Sequence, residues 1–467
     1  MLPKNLQYNK GKVESSPSKA YRSNIAPVNG TQTYGFNDTI IVNIPTGGNR
    51  CLVPSESFLK FAVNIKNLNA TAGNFRLPSH GIHSIFSRLR IFHGGSLLQD
   101  ISEYGQLASI LFNLQIPTDA SMGKFNILCG TTQNMVISDG VNTDFGADDT
   151  LTRAEILGGL AKQKVINVNS GELLGSSIAQ NSSTSTRFFC VNLISLIGSL
   201  CPQYIPLFAM GSAPLRLELT LTDQANKAFC CTNGGNTDVS ISLTQVEYVA
   251  QYVDLSDQAV GMIKDSLGGQ PIQFVVPDWR NYAYSYPLTT SINNIITMPI
   301  NAKFSSVKSI FIVLKDKGQG ANTFFPDSSV SCGTTSYQFR LGSTLYPQKA
   351  PDSIVEMFSE TLKSIGSLGD INHQPSIDLN TYSLSASVAN DESKINVQSG
   401  SFIIGLDLEN FPGSSKDNLF AGYNSNTEDI FLLLNATPSS SFTVRLDAFA
   451  LFDTVVVVEN NSCYVKF

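Results

Sequence analysis

Short stretches of alternating apolar and polar residues, or of β-branched residues in a run, recur along the whole chain, bounded by Gly, Pro, Asn or Ser. Residues 39–44 (TIIVNI), 58–65 (FLKFAVNI), 215–221 (LRLELTL) and 241–249 (ISLTQVEYV) read as β-strands in the first half. Residues 274–276, 307–314 (VKSIFIVL), 402–406 and 442–458 repeat the style in the second. Two stretches change period. Residues 102–114 place Tyr104, Leu107, Ile110, Leu111 and Leu114 on one helical face, and 353–365 do the same with Ile354, Met357, Phe358, Leu362 and Ile365. Ser102 and Asp352 stand where N-caps are expected.

The two halves carry these elements in one order. A strand at 87–93 runs into Gly94-Gly95, a polar turn and the first helix; a strand at 336–341 runs into Gly342, a polar turn and the second helix. RFFCVNLISL (187–196) then answers to SFIIGLDLEN (401–410), and YIPLFAMGSAPLRLELTL (204–221) to LFAGYNSNTEDIFLLLN (419–435). Each half closes on a long strand, at 242–255 and 441–459. Five elements in the same order predict a duplicated antiparallel β-sandwich. The expected division is an N-terminal arm over 1–34, a first sandwich over 35–255, a linker over 256–270 with room for a helical turn before Gly268-Gly269, and a second sandwich over 271–467. The polar, Gly/Asn/Ser/Thr-rich segment 116–185 reads as a long surface insertion with a short helix near 152–160.

Composition narrows the function. The chain has 467 residues, 42% of them hydrophobic, which is enough for two large cores. Charged residues make up only 15%, against roughly 25% in an average soluble domain. Such a surface suits burial against other copies or partners, or else an ordinary Ser/Thr/Asn-rich β protein. The net charge of −6 gives the body no basic stripe for nucleic acid. The first 25 residues differ, with Lys4, Lys10, Lys12, Lys19 and Arg22 against Glu14. They read either as an arm touching an anionic interior, genome or lipid head groups, or as a frayed terminus. The eight cysteines show no C-x-x-C and no zinc-ligand spacing, so buried thiols in a reducing compartment are expected. No signal peptide and no membrane-spanning apolar run is read in the sequence.

At this point a family resemblance emerges. LRIFHGGSLLQDISEYGQLASIL (89–111) and YIPLFAMGSAPLRLELTL (204–221) resemble segments of the first jelly roll of double jelly-roll major capsid proteins. FRLGSTLYPQKAPDSIVEMFSETLKSIGSLGD (339–370) resembles the matching region of the second. The style is that of small icosahedral DNA viruses, polinton-like viruses and virophages, and it covers about residues 35–467. The resemblance implies an all-β fold of two tandem jelly-roll sandwiches (a double jelly roll) with short helices in loops. It also implies a homotrimer forming a pseudo-hexagonal capsomer. Neighbouring capsomers, penton and minor capsid proteins would be its partners, often over an internal membrane. Its place would be the virion capsid, after synthesis in the host cytoplasm or nucleus. The chain is short for the eukaryotic members, which argues against large surface towers outside 116–185.

Chemistry is expected to be absent: no catalytic residue, no cofactor-binding residue, no metal ligand and no cofactor. His80 and His83, three apart in LPSHGIHS, lack a nearby Cys or acidic partner and read as a solvated loop pair. His93-Gly94-Gly95-Ser96 is similar to an esterase oxyanion loop, but no G-x-S-x-G elbow accompanies it, so the glycines read as a tight turn between strand and helix. Asp144, Asp148 and Asp149 lack the spacing of a calcium loop. The single tryptophan, Trp279, in PDWRNYAYSYP, reads as part of the second sandwich's first strand, with its aromatics in the core or against a neighbouring subunit. Two rival functions stay open: a secreted or surface lectin-like β-sandwich binding protein, and an enzyme on a jelly-roll scaffold. The first would call for a signal peptide, paired cysteines or a calcium motif, and the second for a histidine cluster or paired carboxylates.

Overall fold

The computed structural model describes residues 18–29, 33–67, 74–131, 186–233, 239–316, 326–373, 375–377, 379–384, 400–410 and 421–467. The first half contributes β1 (Ser18–Ile25), β2 (Thr39–Ile44), β3 (Arg50–Leu52), β4 (Phe58–Asn67), β5 (Asn74–Arg76), β6 (Phe86–His93), β7 (Ser96–Ser102), β8 (Arg187–Val191), β9 (Leu215–Leu221), β10 (Cys230–Asn233) and β11 (Val239–Leu255). The second contributes β12 (Ile272–Leu288), β13 (Asn294–Ile300), β14 (Val307–Asp316), β15 (Thr334–Leu341), β16 (Thr344–Tyr346), β17 (Ile403–Asp407), β18 (Ile430–Ala436), β19 (Phe442–Glu459) and β20 (Ser462–Lys466).

Eight strands of the first half pair in two antiparallel sheets, β1-β11-β4-β8 and β2-β9-β6-β7, with β3 added to β11 and β5 paired with β10 apart from them. Those of the second pair as β12-β19-β14-β17 and β13-β18-β15-β16. Put β12, β13, β14, β15, β16, β17, β18 and β19 in place of β1, β2, β4, β6, β7, β8, β9 and β11, and the two topologies coincide. This is the eight-stranded, two-sheet arrangement of a jelly roll, made twice. The duplication reaches single turns: the β6–β7 and β15–β16 hairpins each place a glycine, Gly94 and Gly342, at φ +57°. The Gly94-Gly95 turn therefore joins two strands, not a strand and a helix. The helix follows β7.

Alternation builds each interior. Ile40, Val42 and Ile44 of β2 face Leu59, Phe61, Val63 and Ile65 of β4, all fully buried. In the second sandwich Ile296, Met298 and Ile300 meet Ile310, Ile312 and Leu314. VKSIFIVL in β14 is buried at every position because its sheet is covered on both sides. Phe311 and Val313 point away from the second sandwich's own core and join the core cluster of the first.

Several expected boundaries shift. β1 lies inside the expected arm and pairs with β11 from Ser18↔Leu255 to Ile25↔Tyr248. Lys19 and Arg22 thus belong to a strand, and Arg22 lies over the Phe58 ring. The expected linker holds a helix, Asp257–Leu267, whose N-cap Ser256 accepts the Ala259 N–H. Residues 118–122 and 124–129 form two short helices at the start of the expected insertion; 132–185, with the helix placed near 152–160, lie outside the described residues. The first long helix is Tyr104–Gln115, entered through Glu103 at φ +52° with no side-chain cap, so Ser102 does not cap it. The second, Ile354–Ser364, is capped by Ser353 rather than Asp352. Ser353 Oγ accepts the Glu356 N–H, and Glu356 returns a carboxylate oxygen to the Asp352 N–H, both at 3.2 Å.

This second helix lies directly on β17. Thr361 Oγ1 donates to the Ile403 carbonyl at 2.8 Å and accepts the Gly405 N–H at 3.2 Å. A methyl group on Gly405 would sit 2.8 Å from Thr361 Cα, so the helix would have to lift. Gly405→Ala is expected to cost about 1–3 kcal/mol. A urea titration checks this, and an unchanged midpoint would show that the helix is not held at this distance.

Candidate functional site

The positions singled out for chemistry do not assemble an active centre. His80 and His83 are not solvated: each is 2% exposed. His83 packs against the Tyr104 and Phe112 rings of the first helix. His83 Nδ1 lies 3.1 Å from the Tyr104 hydroxyl, which itself accepts the Ile194 N–H at 3.0 Å. Burial pushes His80 down to about 4 and His83 down to about 3. No group of three His, Cys, Asp or Glu among the described residues has metal-site geometry. Asp144, Asp148 and Asp149 lie outside the described residues. Trp279 is buried on β12, its ring 5.9 Å from that of Phe311, while Tyr282, Tyr284 and Tyr286 pack against the second core. Cys51, Cys129, Cys201, Cys230, Cys332 and Cys463 are buried and in no disulfide, and Cys190, likewise unbridged, is half-buried.

What the chain does build is a seam between its two sandwiches. One face of the β12-β19-β14-β17 sheet covers the second core, and the other carries Trp279, Phe311, Val313, Ile403, Phe449 and Leu451 into the first core cluster. The β19–β20 hairpin turns on Asn460 and Asn461, both at positive φ as a two-residue primed turn requires. It lays β20 beside β6 and β7 of the first sandwich.

Polar groups cross the same seam. Gln99 of β7 donates to Asp278 at 2.8 Å and accepts the Leu196 N–H at 2.7 Å. Burial lifts the Asp278 carboxyl to about 6. Ser79 N–H donates to Asp327 at 2.8 Å, Cys463 N–H to His93 Nδ1 at 3.0 Å, and His373 Nε2 lies 2.7 Å from the Leu114 carbonyl at the end of the first helix. Arg445 of β19 holds Asp447 at 2.9 Å and reaches Glu103 at 2.8 Å, the residue whose left-handed backbone opens that helix. Half-buried Lys315 sits in the field of Asp447, Glu103, Arg445 and Asp327, and desolvation lowers its pKa. The seam is an apolar junction bridged by direct hydrogen bonds, and it holds one sandwich against the other. Sequence reasoning missed it because its partners lie hundreds of residues apart.

No protein-family profile and no curated protein sequence matches the chain. Solved structures match over nearly all of it. The mavirus major capsid protein aligns over 100% of this chain and 95% of its own, with TM-score 0.57 and 11% identity. The chain has the double jelly-roll fold. A chain of the Sputnik virophage aligns over 100% of this chain and 92% of its own at TM-score 0.58 and 13% identity. A chain of the PBCV-1 capsid aligns over 98% and 99% at 0.56 and 11%. Coverage near the full length of both partners shows that these structures share the double jelly roll as a whole, both sandwiches in series. At this identity the agreement is one of fold; the contacts that hold it are this chain's own.

Proposed function

We propose that this chain is a viral capsid subunit, and that three copies close into a pseudo-hexagonal tile of six sandwiches. One observation carries the reading: the contact that joins the two sandwiches is half of a repeating contact, and its other half is open. Within the chain, β7 of the first sandwich is covered by the outer face of the second sandwich's β12-β19-β14-β17 sheet, leaving Leu98 and Gln99 only 3% exposed. In the equivalent strand of the second sandwich, β16, every residue is exposed; Leu345 stands out as its counterpart Leu97 does, but Tyr346, in the place of buried Leu98, is 37% exposed. The equivalent outer face of the first sandwich is uncovered too. It presents Phe188 and Lys60, the ammonium 5.7 Å from the ring centre, and Arg22 over Phe58. A second copy placing that face on the first copy's β16 would repeat the seam. A head-to-tail contact of this kind forms rings when its rotation closes. Three chains supply six sandwiches, hence a six-sided unit.

The shape similarity to the mavirus major capsid protein and the PBCV-1 capsid chain supports the same reading. We divide the chain into a first jelly roll from Ser18 to Leu255, a helical connector over 256–270 and a second jelly roll over 271–467. Residues 1–17 lie outside the described residues; their Lys4, Lys10 and Lys12 against Glu14 give a basic charge suited to an anionic interior, genome or lipid. Neighbouring capsomers, and penton and minor proteins at other positions of the shell, complete the set of partners, and the virion is where the chain works.

The test is the state of the purified chain. Light scattering at micromolar concentration is expected to give three copies, and negative-stain images a six-sided outline. Phe188→Glu and Tyr346→Glu each place a carboxylate at the open contact without touching a core, and each is expected to shift the protein to monomer. A stable monomer of the unaltered chain would overturn the proposal.

A further inference from the structure

The seam and its open counterpart share a topology and differ in chemistry. Within the chain, the outer face of the β12-β19-β14-β17 sheet is apolar, with Trp279, Phe311, Val313 and Phe449 along it. The matching face of the first sandwich's β1-β11-β4-β8 sheet is charged. Side chains alternate along β4, so Phe58, Lys60 and Lys66 share that face. Arg22 lies over the Phe58 ring. Glu247 pairs with Lys60 across the strands, 3.9 Å from its ammonium, and accepts from Asn24 at 2.8 Å. Three cations thus stand there with one carboxylate.

The surface beside β16 carries the opposite excess. The charges of Glu360, Asp407 and Lys363 reach Tyr346, and those of Glu356 and Glu360 reach Tyr337 on the neighbouring strand. Asp352 and Glu356 stand at the start of the second long helix, where Glu356 accepts the Asp352 N–H. Lys349 holds Asp352 at 3.3 Å, and Lys363 holds Glu360. Four carboxylates, none of them buried, therefore surround two lysines.

Resting on the ring proposed above, we infer that copies of the chain are joined by charge where the two sandwiches of one chain are joined by apolar packing. Arg22, Lys60 and Lys66 of one copy face the carboxylates beside β16 of the next, around an apolar middle made by Phe188 and Tyr346. The seam holds the same pattern in small. Arg445 reaches from the sheet to Glu103, the residue that opens the first long helix, at 2.8 Å. In the second sandwich the carboxylates at the equivalent helix start are those of Asp352 and Glu356. Two consequences separate the contacts. Salt screens ion pairs at an exposed rim and leaves apolar burial intact, so copies part in salt while each chain stays folded. Cys190, half-buried on β8 opposite Lys60, is covered when copies join.

Light scattering of the full-length chain at micromolar concentration tests this in about 0.1 M and about 1 M sodium chloride, between which the screening length falls from about 10 Å to about 3 Å. Three copies are expected in the lower salt and single chains in the higher, with the same far-ultraviolet circular dichroism in both. Lys60→Gln and Glu356→Gln remove one charge each, and the second keeps an acceptor for the Asp352 N–H. Each is expected to weaken association about threefold per contact and to lower the salt at which copies part. Cys190 is expected to react with a thiol reagent about tenfold more slowly in the lower salt, its signal identified by Cys190→Ser. Three copies that persist in the higher salt with an unchanged dissociation constant, Gln variants that associate as the unaltered chain does, or a Cys190 equally reactive in both salts would overturn the charged contact and leave the three-copy assembly standing. Single chains at both salt concentrations would overturn the ring, and the charged contact with it.

Discussion

Asp453→Ala is expected to lower the free energy of unfolding by about 3–5 kcal/mol, read as a fall in the urea midpoint at unchanged slope. Asp453 on β19 faces Lys308 across a 2.9 Å ion pair whose side chains are 1% and 6% exposed. Its second oxygen accepts the Ser306 hydroxyl at 2.8 Å, and Ser306 in turn accepts the Gly422 N–H at 3.2 Å. Lys308 is where the register between β14 and β19 slips by one residue, so the bulge aims an ammonium into a sheet that is apolar on both faces. Removing the carboxylate takes this counter-ion from an ammonium that is only 6% exposed. The cost comes from the charge left behind, not from the value of the pair. Lys308→Met combined with Asp453→Leu removes both charges at similar volume and is expected to recover most of the loss. If the double variant is as unstable as the single one, desolvation is not the cause.

The ion pair shows where sequence reading stops. The alternation in TIIVNI and LRLELTL marked β2 and β9, and the ordered echo between the halves marked the duplication, because both depend on residues close in sequence. Lys308 in VKSIFIVL was visible as a charge in an apolar run, but its partner lies 145 residues on. β1 was hidden for the opposite reason. SKAYRSNI is an edge strand with no buried position, held by backbone pairing to β11, so it carries no apolar face to read. His80 and His83 stand among Ser, Pro and Gly, which suggested solvent. His83 is buried by Tyr104 and Phe112 of the first helix, and next to His80 the Ser79 N–H meets Asp327, 248 residues on in sequence. A helical turn in the linker was legible and its full length was within reach: Ser256 followed by an acidic first turn is a helix start, and Gly268 just past Leu267 is a stop. The seam as a whole was not, since each cross-seam contact pairs residues that are local to nothing in common.

Trp279→Ala is expected to cost about 3–5 kcal/mol, and to change how the protein unfolds as well as how easily. Trp279 stands opposite Leu451 on β19 and belongs to the sheet face that leaves the second sandwich and enters the first core. With Phe311 and Phe449 it makes the apolar centre of the seam. While that centre is intact, neither sandwich can unfold without exposing the other's apolar face, so one calorimetric transition is expected. Emptying the tryptophan site weakens the shared contact and leaves each sandwich its own interior, so two separable transitions are expected in the variant. Phe339→Ala provides the comparison: this ring is fully buried in the interior of the second sandwich, on β15 opposite Leu432 and away from the seam. It is expected to destabilise by a similar amount while leaving a single transition. A tryptophan variant that still melts in one step would mean that the polar bridges at Gln99, Glu103 and His93 suffice to couple the sandwiches. Two steps would mean that they orient the sandwiches, and that coupling needs the buried rings between them.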